Sequence, residues 1–189
     1  MKKIMFNDKY GLTQAVLEGR KTMTRRVINQ RTEGWLRMQY NERFDDWHRR
    51  SPYMYTETLA IAQAYKDIFK KGGFNMHDPF TFVEESPGWN NKTFVKAKLM
   101  PHHIKITNIR VERLQDISNE DCLKEGIRKW DHNNNPFPPA YDFINSPQSS
   151  YKTPREAFAA LIDKISGKGT WESNPYVWVY EFELINYKE

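Results

Sequence analysis

The sequence predicts an α+β fold, a small mixed or mostly antiparallel β-barrel with flanking short helices and long inserted loops. Alternating apolar and polar residues mark several strands, of which "HIKITNIRVERL" and "NPYVWVYEFELI" are the longest. Only three segments carry strong helix signals, and the regular strand–helix alternation of a parallel sheet is missing. The connections are long and punctuated by Gly, Pro and Asn, which suits a curled antiparallel sheet better than a doubly wound one.

Taken in order, residues 8–18 fit an amphipathic helix with Leu12, Ala15 and Val16 on one side. Gly19 follows as the residue able to take positive φ past the helix end. A strand is predicted over 22–28. The stretch 29–56 mixes five Arg with Trp35, Tyr40, Phe44, Trp47, Tyr53 and Tyr55 without a period, and reads as an excursion. "TLAIAQAY" at 58–65 is a predicted strand, 66–93 a loop, and "FVKAKL" and "HIKITNIRVERL" two further strands.

The second and third helices are marked by their caps. In "ISNEDCLKEGI", Ser118 and Asp121 have capping-box spacing, Ile117 and Cys122 are placed as a hydrophobic staple, and Gly126 is the stop. In "TPREAFAALIDKISGKG", Thr153 is the N-cap, Pro154 the first helical residue and Gly167 the stop. Its predicted buried stripe is Ala157, Phe158, Leu161, Ile162 and Ile165. Residues 131–150 read as a loop. The last strand should place Tyr176, Trp178, Tyr180, Phe182 and Leu184 on one face. The whole of 1–189 is therefore expected to form one domain, with insertions at about 29–56, 66–93 and 131–150.

Composition bounds the function. With 39% hydrophobic and 14% aromatic residues the chain can bury one core. A single cysteine, Cys122, precludes an intramolecular disulfide, and no two of the five histidines have metal-ligand spacing, so no metal is expected. No apolar run approaches the ~20 residues of a membrane span, and the amino terminus turns polar too early for a signal peptide. The expectation is a cytoplasmic protein with no membrane partner. "KGGF" at 71–74 lacks the residues that make a phosphate loop, so no nucleotide cofactor is expected.

Charge is uneven. Residues 1–56 hold twelve Lys and Arg against six acids, a balance of +6, while the rest of the chain sums to −1. Clustered cations raise local potential, which points to an anionic partner. The densest cluster is "LEGRKTMTRRVI" at 17–28, with Arg20, Lys21, Arg25 and Arg26.

Three stretches, "LEGRKTMTRR", "NIRVERLQDISNEDCLKEGI" and "SGKGTWESNPYVWVYEFELI", resemble the ASCH domain family, whose barrel is related to the PUA domain of RNA-modifying proteins. The most specific element is Gly-x-Lys-Thr-x-Thr-x-Arg, here Gly19, Lys21, Thr22, Thr24 and Arg26. The resemblance implies a PUA-like barrel and an RNA- or nucleoside-facing cleft. Gly19, Arg20, Thr22, Arg25 and Arg26 would line it, with Trp171 and Tyr176 as candidate stacking rings. In some small bacterial members the resemblance further implies an amidohydrolase that removes the acetyl group from N4-acetylcytidine. The residues at work there fall on Lys21, Thr24 and Glu125.

The chemistry is coherent with those residue types. Amide hydrolysis needs a nucleophile, a base and a group that protonates the departing amine, for which Thr24, Lys21 and Glu125 are candidates. A lysine serves as a base only if its pKa falls, and neighbouring arginines and burial both act in that direction. In a regular strand residues 21 and 24 face opposite ways, so Lys21 must sit in the turn before the strand. Three readings stay open: an RNA or nucleoside binder, an amidohydrolase on an acylated nucleobase, and a metal-independent ribonuclease. Equally, Thr22 and Thr24 suit a plain strand, and Trp171, Tyr176 and Trp178 suit a core.

Overall fold

The computed structural model describes residues 1–29, 31, 32, 34, 50–69, 85–130, 138–148 and 150–185. Its centre is a five-stranded mixed sheet. The strands are β1 (Lys2–Ile4), β2 (Met23–Val27), β3 (Thr58–Ile61), β4 (His103–Arg113) and β7 (Tyr176–Ile185), in the spatial order β1-β3-β4-β7-β2. β1 runs parallel to β3 and every other pair is antiparallel. Among the described residues it is accompanied by the helices α1 (Leu12–Leu17), α2 (Tyr65–Phe69), α3 (Asn119–Lys124), α4 (Pro154–Ser166) and α5 (Thr170–Ser173). The fold is α+β, as predicted.

The expected closed barrel is not present among the described residues. The sheet has two edges, β1 and β2, with no ladder between them. A side chain spans the gap instead: Arg26 of β2 donates from Nη2 to the carbonyl of Met5, just past β1, at 2.6 Å.

Most of the sequence-predicted elements appear where expected. β2, β4, β7, α1, α3 and α4 all form, and the caps work as read: Ser118 accepts from the Asp121 N–H and Thr153 from the Glu156 N–H. Val177, Trp178, Val179 and Tyr180 are all buried, so β7 is covered on both faces in mid-strand, whereas Leu184 is exposed. Ile165 is likewise exposed, outside the α4 stripe.

Other expectations need correction. "FVKAKL" is not a strand but two 3-10 turns, Lys92–Phe94 and Ala97–Leu99, the first capped by the Asn91 side chain. β3 ends at Ile61, and Tyr65 already belongs to α2. The predicted loop 131–150 contains β6 (Ala140–Asp142), which pairs antiparallel with β5 (Arg128–Trp130). The insertion expected at 29–56 lies mostly outside the described residues, as does much of 66–93.

One irregularity decides what meets what. Ile106 pairs with Phe182 but Asn108 pairs with Glu181, so Thr107 is an extra residue, a β-bulge in β4. The bulge reverses side-chain phase along the strand. Before it, Ile104 and Ile106 share a face with Leu184 and Phe182; beyond it, Ile109 and Val111 continue that apolar face. Arg110 and Glu112 are thereby turned to the opposite face, the one that carries Arg25 of β2.

Candidate functional site

The basic element 19–26 begins at the end of α1. Gly19 takes φ +72° and donates to the Val16 carbonyl, the Lys21 N–H donates to the Ala15 carbonyl, and the Thr22 N–H to the Lys124 carbonyl. This stitches the turn to the ends of both α1 and α3, and Lys21 sits in it, ahead of β2, as the geometry required. Gly126, at φ +102°, faces the same turn: a Cβ there would lie 3.2 Å from Leu12 Cδ2 and 3.6 Å from Lys21 Cδ.

Lys21 is only 2% exposed. Its ammonium donates to the Met23 carbonyl at 2.7 Å, the Glu125 carbonyl at 2.8 Å and Glu125 Oε2 at 2.6 Å. These use all three of its donors. Burial draws the Lys21 pKa below the ordinary lysine value, with Arg26 and Arg25 acting the same way, while Glu125 opposes. The two residues that the family resemblance pairs, 104 positions apart, are thus in direct contact.

The other oxygen of Glu125, Oε1, accepts from Arg25 Nη1 at 3.2 Å. Arg25 has no exposed side-chain surface and also donates to Glu112 Oε1 (2.6 and 3.0 Å) and to Asp121 Oδ2 (3.0 Å). Its pKa is raised: burial works against the charge, and Glu125 and Glu112 more than compensate. Arg110 completes the array, reaching Glu112 Oε2 at 2.9 Å, Asp121 Oδ2 at 2.8 Å and the Glu181 carboxylate. Three cations, Lys21, Arg25 and Arg110, are interleaved with four carboxylates. The sequence reading missed Arg110, Glu112 and Glu181, and took Asp121 only as a cap; the signal for them was the slip in apolar phase from Ile106 to Ile109.

Thr24 and Arg26 lie on the other face of β2, opposite Tyr180 and Trp178. Thr24 is buried and, among the described residues, makes no hydrogen bond to Lys21 or Glu125. The Tyr180 hydroxyl is 2.8 Å from Ser51 Oγ, and Tyr53 packs edge-on against the Tyr180 ring at 5.2 Å. Burial raises the Tyr53 pKa, and Arg26 works against that rise. Among the described residues Arg26 Nε is buried with no hydrogen-bond partner.

The remaining expected residues are dispersed. Arg20 is exposed and pairs with Glu18 at 2.6 Å. Thr22 is half-buried and its carbonyl accepts from the Phe182 N–H. Trp171 packs against Phe158 with Arg155 5.0 Å above its ring. Tyr176 carries Arg113 at 3.8 Å, six residues along β7 from Phe182, or about 20 Å at the rise of a strand. Neither ring is brought to Lys21. Cys122 is fully buried with its thiol pushed up to about 12, chiefly by burial, which leaves it protonated and unreactive at neutral pH.

Among the described residues no cluster of three or more His, Cys, Asp or Glu is arranged to hold a metal, and no helix is long and apolar enough to cross a membrane. Comparison with family models, curated proteins and solved structures found no match.

Proposed function

We propose that this chain is a PUA-like RNA- or nucleoside-binding protein whose ligand is received on the face of β2 that carries Thr24 and Arg26. The observation that carries this is Arg26: a buried guanidinium N–H without an acceptor, close enough to Lys21 to act on its pKa. A buried donor left unpaired costs roughly 1–3 kcal/mol, and an oxygen brought by a ligand removes that cost. Tyr53, half-buried with its ring edge-on to the buried Tyr180, stands on the same side as that donor and offers aromatic surface to a base.

The contact between Lys21 and Glu125 favours a second reading, the amidohydrolase. As it stands, Lys21 is a fully bonded ammonium and cannot accept a proton. To act as a base it must first pass one to Glu125 Oε2, which lies 2.6 Å away. Neutral Lys21 would then take the hydroxyl proton as Thr24 Oγ1 bonds to the acyl carbon, and that proton would go to the amine as the C–N bond breaks. Water would release the acyl group from Thr24 as the acid.

Incubation with N4-acetylcytidine and, separately, with a short single-stranded RNA, without added metal, separates these readings. The binding reading expects saturable heat on titration and no change in either compound. Acetate release that disappears in Lys21→Arg, which keeps the charge but cannot lose a proton at neutral pH, would establish the hydrolase. Cleaved RNA would establish the nuclease, and the absence of both binding and turnover would refute the proposal.

A further inference from the structure

Residues that neighbour Lys21 and Glu125 in sequence line an open depression of about 370 Å³. It is lined by Arg20, Leu123, Ile127, Arg128, Lys129 and Trp130. Its volume is in the range of small-ligand sites, roughly 300–1,000 Å³. Leu123 and Ile127 supply an apolar floor, and among the described residues three cations and no carboxylate line it.

Trp130 is 49% exposed, which is unusual for so large an apolar ring. Arg128 holds it from one side, its guanidinium 5.3 Å from the ring, and is itself fixed by a bidentate pair to Asp142 at 2.7 and 2.8 Å. Arg128 is therefore a prop for the indole, with its charge already answered. Arg20 differs: its partner Glu18 is as exposed as it is, and such surface pairs are worth about 0–1 kcal/mol, so Arg20 can exchange Glu18 for another anion.

From these features we infer that the depression is a second nucleotide subsite, and that the natural ligand is a single-stranded polynucleotide and not a free nucleoside. This rests on the nucleic-acid reading of the site above. A flat base lies on the Trp130 indole over the apolar floor, and a flanking phosphate meets Arg20. A polyglutamate peptide would match the charge but has no planar group for the indole. Arg20 directly precedes Lys21, and Ile127 follows Glu125 by two residues, so the depression flanks the Lys21–Glu125 contact.

The test measures binding of a labelled decamer of uridylate by fluorescence anisotropy, and of free cytidine by calorimetry, with circular dichroism confirming the fold of each variant. Trp130→Ala should weaken decamer binding by about tenfold or more, the scale of a lost base–aromatic stack, and leave cytidine binding within twofold. Trp130→Phe should retain most of the decamer affinity. Arg20→Gln should make the dependence of log K on log salt shallower by about 0.7, one phosphate contact on a single strand. Decamer binding without measurable cytidine binding, lost on Trp130→Ala, also upholds the inference.

Unchanged decamer affinity in both Trp130→Ala and Arg20→Gln, with loss in Arg26→Gln, would overturn the subsite and leave the proposed function standing. A hepta-glutamate peptide that binds as tightly as the decamer and responds to the same variants would overturn it in favour of an acidic protein partner. Failure of the unmodified protein to bind either the decamer or cytidine would overturn both.

Discussion

Lys21 has three N–H donors and three acceptors within 2.8 Å, and this complete set governs how substitutions there behave. Removing one partner of a buried ion pair strands the other charge, which costs about 3–5 kcal/mol, while replacing both with apolar side chains is often close to neutral. Lys21→Met or Glu125→Leu alone should therefore lower stability by about that amount in chemical denaturation. The Lys21→Met/Glu125→Leu double variant should recover much of the loss from Lys21, though not all, because Arg25 Nη1 also loses Glu125 Oε1. Additive losses in the double-mutant cycle would show that the pair is not coupled.

Among the elements, the glycines that bound the basic turn behave differently although both have positive φ. At Gly19 an added Cβ meets nothing within 4 Å; at Gly126 it presses on Leu12 and lies beside the Lys21 stem. Gly19→Ala should cost only the backbone strain, of order 1–2 kcal/mol, while Gly126→Ala should cost more and disturb Lys21 as well. Equal thermal midpoints for the two variants would contradict this packing.

Elements with a local chemical signature were legible in the sequence. Ser118, Thr153, Gly126 and Gly167 mark helix ends because caps and stops act within a few residues. "FVKAKL" shows the limit: its alternation covers six residues, and the Asn91 cap together with burial of Val95 makes turns of it. β5 and β6 have three residues each and no period, and β6 lies in an Asn- and Pro-rich stretch, so only their pairing reveals them. At the site, Lys21 and Glu125 were legible through the motif. The acids around Arg25 were not, because their convergence depends on a bulge at Thr107 and on which faces pair across β2, β7 and β4.

At the scale of the whole molecule, the sheet separates two environments: the ion-pair array with Arg25, Arg110 and Glu112 on one face, and Thr24, Arg26 and Tyr180 on the other. The second has a pH signature. The Tyr180 pKa is pushed up to about 12, mainly by burial and against the hydrogen bond with Ser51. Above pH 10 an unfolded chain loses this proton while the folded one keeps it, so the stabilisation is complete below the ordinary value of 10.0 and is lost as pH rises toward 12. Tyr180→Phe should be less stable at pH 7 by about 1 kcal/mol, the worth of one hydrogen bond, and should lose less stability between pH 10 and 12. Identical alkaline slopes for the two proteins would remove Tyr180 from that role.

The central claim is that the Arg26 side of β2 receives a nucleic-acid oxygen, and calorimetric titration of single-stranded RNA into the unmodified protein and into Arg26→Gln tests it most directly. The unmodified protein should bind, with affinity falling as salt rises. Arg26→Gln should weaken binding by at least about tenfold, the scale of a hydrogen bond to a charged donor, while the variant still unfolds cooperatively. Equal affinity in the two proteins, or no binding by the unmodified chain, would contradict it.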